Sequence, residues 1–320
     1  MFKEVETAYE RIKEIVNSTP VMTSSTIDEI TDSECFLKCE NFQKTGSFKF
    51  RGALNALLQL SLEQKKKGVI THSSGNHAQA LALAAKLLGI EVVVVMPKNA
   101  PLVKVAATKG YGAKIVVCGT QPTDREQTVI PLIKRYGYTL IHPYNDLEII
   151  SGAGTAAYEL IKEVDELDYI FSPVGGGGLL SGTAIAAEGL LSSAKVVGVE
   201  PENASDAYQS FKAGKIIPVK KPNTIADGLK TSLGSKTFRI IREKVDQIIT
   251  VSEEEIVDAM QFIWERMKLV VEPSGAVSLA GVLSKQVDLG SRRVGIIISG
   301  GNIDLTEFFA KIRQRMKFSK

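Results

Sequence analysis

The sequence predicts an α/β fold of doubly wound, mostly parallel sheets, and three observations carry that prediction. Short runs rich in Val and Ile alternate with stretches of helical periodicity. The runs are almost wholly apolar, as strands covered on both faces should be. The segments that leave them are polar or glycine-rich, and ligands of this class sit beyond the carboxyl ends of the strands.

Taken in order, Val5, Ala8, Ile12, Ile15 and Val16 share one helical face and predict an amphipathic helix ending before Pro20. A helix is predicted over 53–60, a strand around Val69 and Ile70, and a helix over 78–88. Strands at 91–96 and 114–118 alternate with helices at 101–109 and 126–136. The apolar run Tyr169-Ile170-Phe171-Ser172-Pro173-Val174 leads into Gly175, Gly176, Gly177 and Gly178, and a helix opens at Leu179. A further strand is predicted at 196–199. Ser252-Glu253-Glu254-Glu255 is a capping box opening a helix through Met267, and 293–298 is a last buried strand entering Ser299-Gly300-Gly301-Asn302.

With 320 residues and 44% hydrophobic content the chain can bury a large core in one big or two medium domains. A net charge of +3 is too small and dispersed for a nucleic-acid footprint, and Lys65-Lys66-Lys67 and Lys220-Lys221 read as solvated surface. The opening Met1-Phe2-Lys3-Glu4-Val5-Glu6 lacks a signal pattern, and no apolar run is long enough to span a bilayer. A soluble, cytoplasmic protein with no membrane partner is expected. Cys35, Cys39 and Cys118 form no Cys-x-x-Cys pair and read as free thiols.

The four glycines are a phosphate cradle in prospect. Bare backbone lets several N–H groups converge on one anion, and the helix that follows adds its positive end. No Lys-Ser or Lys-Thr follows, as a Walker loop requires, and the alternating glycines of a dinucleotide fold are missing, so the phosphate belongs to another cofactor. Lys49, ahead of a predicted helix, is disfavoured as a cation there; a neutral amine is a nucleophile able to form a Schiff base. The segment alone fits a surface lysine equally well. Its combination with the cradle and the polar loop Ser73-Ser74-Gly75-Asn76-His77 on one sheet edge favours the nucleophile.

Ser47-Phe48-Lys49 with Arg51-Gly52-Ala53, the Ser-Gly-Asn-His loop, the glycine tetrad and Ser299-Gly300-Gly301-Asn302 together resemble the fold-type II pyridoxal-phosphate (PLP) enzymes, in their serine and threonine dehydratase branch. The resemblance covers nearly the whole chain. Thr19-Pro20-Val21-Met22-Thr23-Ser24-Ser25, Ile225-Ala226-Asp227-Gly228 and Trp264-Glu265-Arg266-Met267-Lys268-Leu269 are most similar to the serine-racemising members. It implies a tryptophan synthase β-like fold of two doubly wound open-sheet domains with the cofactor between them. The large domain would be 1–67 with 145–320, and the small mobile one 68–144. The implied activity is interconversion of L- and D-serine with elimination to pyruvate and ammonia; the alternative is a 3-hydroxyaspartate or threonine ammonia-lyase. A small amino acid as substrate and a homodimer are implied as well.

By the same resemblance Lys49 holds the cofactor as a Schiff base, Phe48 packs on its ring, Asn76 bonds its 3-hydroxyl, and Gly175, Gly176, Gly177, Gly178 and Leu179 hold its phosphate. Ser299 meets the pyridine nitrogen, and a neutral hydroxyl there makes a weaker electron sink than a carboxylate partner. Ser74 is the acid/base on the substrate face opposite Lys49, at a position where plain dehydratases carry alanine. Ser73, Asn76, His77 and Arg125 complete the substrate side, and Arg125 would meet a second carboxylate. Glu200, the Ala204 carbonyl and Asp206 match a Mg²⁺ or Ca²⁺ loop of hard oxygen donors. Ser24, Ser25, Lys44, Gln79, Tyr111 and Asn302 match positions that bind ATP, an allosteric activator, at a dimer interface. The chain departs from the racemase pattern at His142-Pro143-Tyr144, where mammalian racemases have asparagine after His-Pro.

Overall fold

The structure, a computed structural model, describes residues 1–305 apart from Pro101 and Ser192. Among these residues ten strands form two sheets. The larger is ordered β1 (Val21–Met22), β2 (Glu34–Cys39), β10 (Arg293–Ile298), β7 (Tyr169–Pro173), β8 (Lys195–Pro201) and β9 (Gln247–Val251). Only its β1–β2 pair is antiparallel. The smaller is all parallel, in the order β5 (Lys114–Cys118), β4 (Val92–Pro97), β3 (Val69–His72) and β6 (Thr139–Leu140). The doubly wound class holds, and the central strands are buried along nearly their whole length because helices cover both faces.

The helices are α1 (Phe2–Ile12), α2 (Ser25–Thr31), α3 (Lys49–Leu58), α4 (Leu62–Lys67), α5 (Asn76–Leu88), α6 (Leu102–Gly110) and α7 (Pro122–Tyr136). After them come α8 (Leu147–Val164), α9 (Gly178–Leu190), α10 (Asp206–Ala213), α11 (Ser235–Lys244), α12 (Glu253–Phe262) and α13 (Pro273–Leu283). Several bounds differ from the sequence expectation. α1 stops at Ile12 although Val16 stays buried, so the apolar spacing outruns the helix. α3 begins at Lys49 rather than at 53, because the Phe48 N–H donates to the Ser299 carbonyl and the chain turns directly into helix there. α7 starts at Pro122, where the Asp124 carboxylate accepts from the Gln121 N–H at 2.8 Å, a cap that no Ser or Thr marks in the sequence. The capping box at Ser252 is formed, but 263–267 is a π-turn ending in Lys268 with φ 61°, not a continuation of α12. The predicted helix 101–109 begins at a residue outside the described set. β8 runs on through Glu200 and Pro201, which pair with Thr250 and Val251, so Glu200 lies in the strand rather than after it.

Two contacts between helices set the frame of the large sheet's cover. A Cβ placed on Gly154 of α8 would fall 2.7 Å from the Gly182 carbonyl of α9, and one on Gly152 would fall 2.7 Å from the Arg51 carbonyl of α3. Backbone therefore touches backbone at both crossings. Arg51 is fully buried, with Nε 2.7 Å from Glu40 and Nη1 2.6 Å from Glu159; Lys38 reaches the same Glu159 at 2.9 Å. This paired cluster ties the start of α3 to β2 and α8 while leaving no buried charge alone.

Candidate active site

Each sheet has a point where its strand order reverses, and ligand-binding loops gather at such points. In the larger sheet the reversal lies between β7 and β10, whose exits carry the glycine tetrad and Ser299. In the smaller it lies between β3 and β6, whose exits carry 73–77 and 141–145. Side chains join the two. Lys49 Nζ donates to the Pro143 carbonyl at 2.9 Å, Asn76 Nδ2 donates to Glu272 Oε1 at 2.6 Å, and Lys104 pairs with Asp227.

Lys49 is the first residue of α3, and the hairpin-like stitch Ser47 to Gly300, with the Gly301 N–H donating to the Gly46 carbonyl, fixes its approach. Its amine stands 4.9 Å from the Phe48 ring centre, and burial lowers its pKa to about 8. Desolvation is the cause; the helix terminus invoked from the sequence is not needed.

All three histidines of the chain crowd this side of the amine. His72 and His142 meet edge to face at 5.6 Å, and both ring nitrogens of His77 are buried without a well-formed hydrogen bond, although the Ile141 backbone lies close enough to favour its cation. Burial, reinforced for His77 and His142 by the Lys49 charge, moves all three pKa values down, His142 to about 4. The Tyr144 and Asn145 N–H groups donate to His142 Nδ1, which leaves the ring proton on Nε2. At neutral pH the imidazoles are uncharged, so they are poor proton donors. Proton transfer is left to the lysine amine and to hydroxyls.

The two serines of the 73–77 loop differ. Ser73 Oγ accepts from the Gly75 N–H at 3.3 Å and so shapes the loop. Ser74, half-buried, has no hydrogen-bond partner among the described residues. Asn76 opens α5 and lies between Glu272 and Asn302, whose Nδ2 donates to Asn76 Oδ1 at 3.1 Å and to the Thr45 carbonyl at 2.6 Å. Glu272 is buried and its pKa is pushed up to about 7 by that burial. Ser299 is buried and donates to the Ser274 carbonyl at 3.2 Å. Arg125 has a buried Nε without a partner, and its charge reaches His72 and Tyr144.

The glycine tetrad fits a phosphate. All four glycines are buried, α9 begins at Gly178, and Gly177, at φ 87°, takes a backbone conformation that L side chains rarely adopt. A Cβ on Gly176 would run into the Tyr144 ring, and one on Gly175 would fall 2.9 Å from Leu229 Cα. The first N–H groups of α9 have no acceptor within the helix. The protein's own atoms thus fill the places that side chains would take, and the N–H groups of the loop and of the first turn of α9 are the donors left for an anion.

Glu200 is fully buried and accepts from the Ala207 and Tyr208 N–H groups at 3.0 and 2.9 Å, which caps the start of α10. Asp206 forms no hydrogen bond through either buried oxygen, although the Leu233 amide and Ser232 hydroxyl lie close enough to favour its ion. Both carboxyls are pushed up, Asp206 to about 7, by burial and, for Glu200, by the Asp206 charge. Among the described residues no three His, Cys, Asp or Glu side chains converge, so a cation here would rest on two carboxylates, carbonyl oxygen and water. Ser24 precedes α2 without a side-chain capping bond, Ser25 begins it, Lys44 lies in the 44–46 turn, Gln79 is buried in α5, and Tyr111 follows α6. Sequence reasoning missed Glu272, which lies in no glycine-rich or Ser-Gly-Asn-type motif that would have marked it.

The family model for pyridoxal-phosphate dependent enzymes matches residues 12–300. A serine racemase of Schizosaccharomyces pombe is 52% identical over 96% of this chain and 95% of its own length. An L-threo-3-hydroxyaspartate ammonia-lyase of Saccharomyces cerevisiae is 51% identical over 96% of this chain and 94% of its own. The maize serine racemase structure superposes with a TM-score of 0.97 at 44% identity, covering 99% of this chain and 98% of that one.

Proposed function

The chain belongs to the pyridoxal-phosphate dependent enzyme family, and from that premise we propose that it interconverts L- and D-serine and also eliminates water from serine to give pyruvate and ammonia. The free Ser74 hydroxyl carries this reading. Inverting a Cα centre needs a proton donor and acceptor on each face. Lys49 serves one; the histidines are neutral, and Ser74 is the hydroxyl of its loop not already committed to backbone.

When bound, the cofactor supplies an electron sink that makes the Cα proton acidic. Glycines 175–178 with Leu179 would hold its phosphate, Lys49 would be the amine that takes its aldehyde, Phe48 would pack on the ring, Asn76 would serve the 3-hydroxyl and Ser299 the ring nitrogen. Ser73, His77 and Arg125 complete the substrate side. Polar contacts cross the cleft at Lys49, Asn76 and Lys104, while α3 and α5 share one apolar core, so a unit of 68–144 that closes over substrate against 1–67 and 145–320 would pivot on that seam. No helix among the described residues is long and apolar enough to cross a membrane, and the free, buried cysteines suit the cytoplasm. A homodimer with ATP at Ser24, Ser25, Lys44, Gln79, Tyr111 and Asn302 remains part of the reading. Asn302 supports it by joining that group to Asn76.

A second reading has its own observation. The unpartnered Arg125 Nε suits an acidic side chain, as in the elimination of ammonia from 3-hydroxyaspartate. Chiral analysis of products from L-serine, L-threonine and 3-hydroxyaspartate, run side by side, separates the two. D-serine from L-serine is expected. Deamination of 3-hydroxyaspartate with no D-serine formed would leave only the second reading.

The Glu200–Asp206 loop is read as a structural Mg²⁺ or Ca²⁺ site, because a cation would neutralise two buried carboxyls. Binding to the folded state alone stabilises by about 2.7 kcal/mol at a hundredfold excess over Kd. Mg²⁺ is therefore expected to raise Tm by a few degrees, and Asp206→Ala to abolish that response while PLP absorbance persists. A wild-type melt unchanged by chelator and by Mg²⁺ would contradict it.

A further inference from the structure

The first turn of α11 lies directly behind the glycine tetrad. Thr237, fully buried at its third residue, places Oγ1 2.8 Å from the Gly176 carbonyl and 2.9 Å from the Gly234 N–H. The Gly234 carbonyl is further from it, at 3.1 Å. A hydroxyl has one proton to give. The Gly234 N–H takes a lone pair, and the proton goes to the nearer oxygen, that of Gly176.

The peptide between Gly176 and Gly177 is trans, and a trans peptide points its C=O and N–H to opposite sides. A bond that holds the Gly176 carbonyl back toward α11 therefore turns the Gly177 N–H forward. The wall behind is closed: a Cβ on Gly177 would fall 2.8 Å from Leu233 Cδ2, 2.9 Å from Ile241 Cδ1 and 2.9 Å from Thr237 Cβ. The turn is itself anchored, since Asn145, next to the Tyr144 that covers Gly176, accepts from the Lys236 N–H at 2.8 Å.

We propose that Thr237 is the positioning residue of the phosphate cradle, its hydroxyl holding the Gly176 carbonyl outward and so aiming the Gly177 N–H at the cofactor's phosphate. The inference rests on the reading of the tetrad as that cradle. Its signature is selectivity for the phosphate: without the hydroxyl, the peptide is free to rotate and one charge-assisted hydrogen bond is lost, roughly 1.5 kcal/mol or about tenfold in affinity.

The test titrates apoenzyme with PLP and with pyridoxal, which lacks the phosphate, in wild type, Thr237→Val and Thr237→Ser. Thr237→Val is expected to weaken PLP about tenfold, to leave pyridoxal within about twofold, and to move the ³¹P resonance of the bound phosphate. Thr237→Ser, which keeps the hydroxyl, is expected to restore both. Equal weakening of the two ligands, or none, overturns the proposal. If wild type binds pyridoxal as tightly as PLP, it is the cradle reading that fails, and Thr237 is not implicated. Should Thr237→Val not give folded protein, Thr237→Ala carries the same ratio test, with a loss of about threefold because a water can reach Gly176.

Discussion

Lys49→Ala is expected to take turnover of L-serine below detection while Tm moves by no more than a few degrees. The side chain contributes one hydrogen bond to the Pro143 carbonyl, worth roughly 1 kcal/mol net, and its removal also ends the cost of desolvating an amine. Its chemical contribution is far larger. With a pKa of about 8, roughly a quarter of the amine is neutral at pH 7.5, against about one part in a thousand for an ordinary lysine. The sign follows: PLP uptake by the apoenzyme should speed up as pH rises and level off above about 8. Steady turnover by the alanine variant, with PLP present and no added amine, would remove Lys49 from its role.

Ser74→Ala separates the two faces of the substrate. Conversion of L-serine to D-serine and elimination from D-serine are expected to fall by roughly 10² to 10⁴, the usual contribution of a general acid or base. Elimination from L-serine, whose proton Lys49 takes, should stay within a few-fold. Because Ser74 makes no hydrogen bond among the described residues, the loop loses nothing that holds it together, and Tm should be unchanged. Paired assays on the two enantiomers decide the point. Undiminished racemisation would mean that some other group reaches the second face.

How much could be seen in advance depended on whether a residue's role was written into its neighbours. Strands β4 and β10 were legible because both faces are buried almost end to end, which makes nearly every position apolar. β5, an edge strand, was legible from its Ile and Val alone, since Lys114 and Val117 are exposed. The glycine tetrad was legible because only a close approach accounts for four side chains given up in a row. The start of α3 was not, since it is set by a hydrogen bond to Ser299, some 250 residues away in sequence. Glu200 shows the same limit. Two carboxylates six residues apart suggested a cation loop, but the sequence could not show that Glu200 already caps α10 while Asp206 is left unmatched. Thr237 was invisible for a related reason: its partner is a backbone carbonyl, and backbone has no letter.

The glycine crossings of α8 with α3 and α9 bear on how this architecture can diversify. Lys49 opens α3 and the tetrad opens α9, and α8 holds both with no side chain interposed. Their separation is therefore graduated in backbone, with no packing residue that substitution could trim or enlarge by a methyl group. The loops 73–77 and 141–145 hang from the other sheet. Drift in those loops can change which amino acid is welcomed, and which of its bonds breaks, while the distance from nucleophile to anchor stays as it was. One half of the enzyme is a gauge; the other is where new substrates are learned.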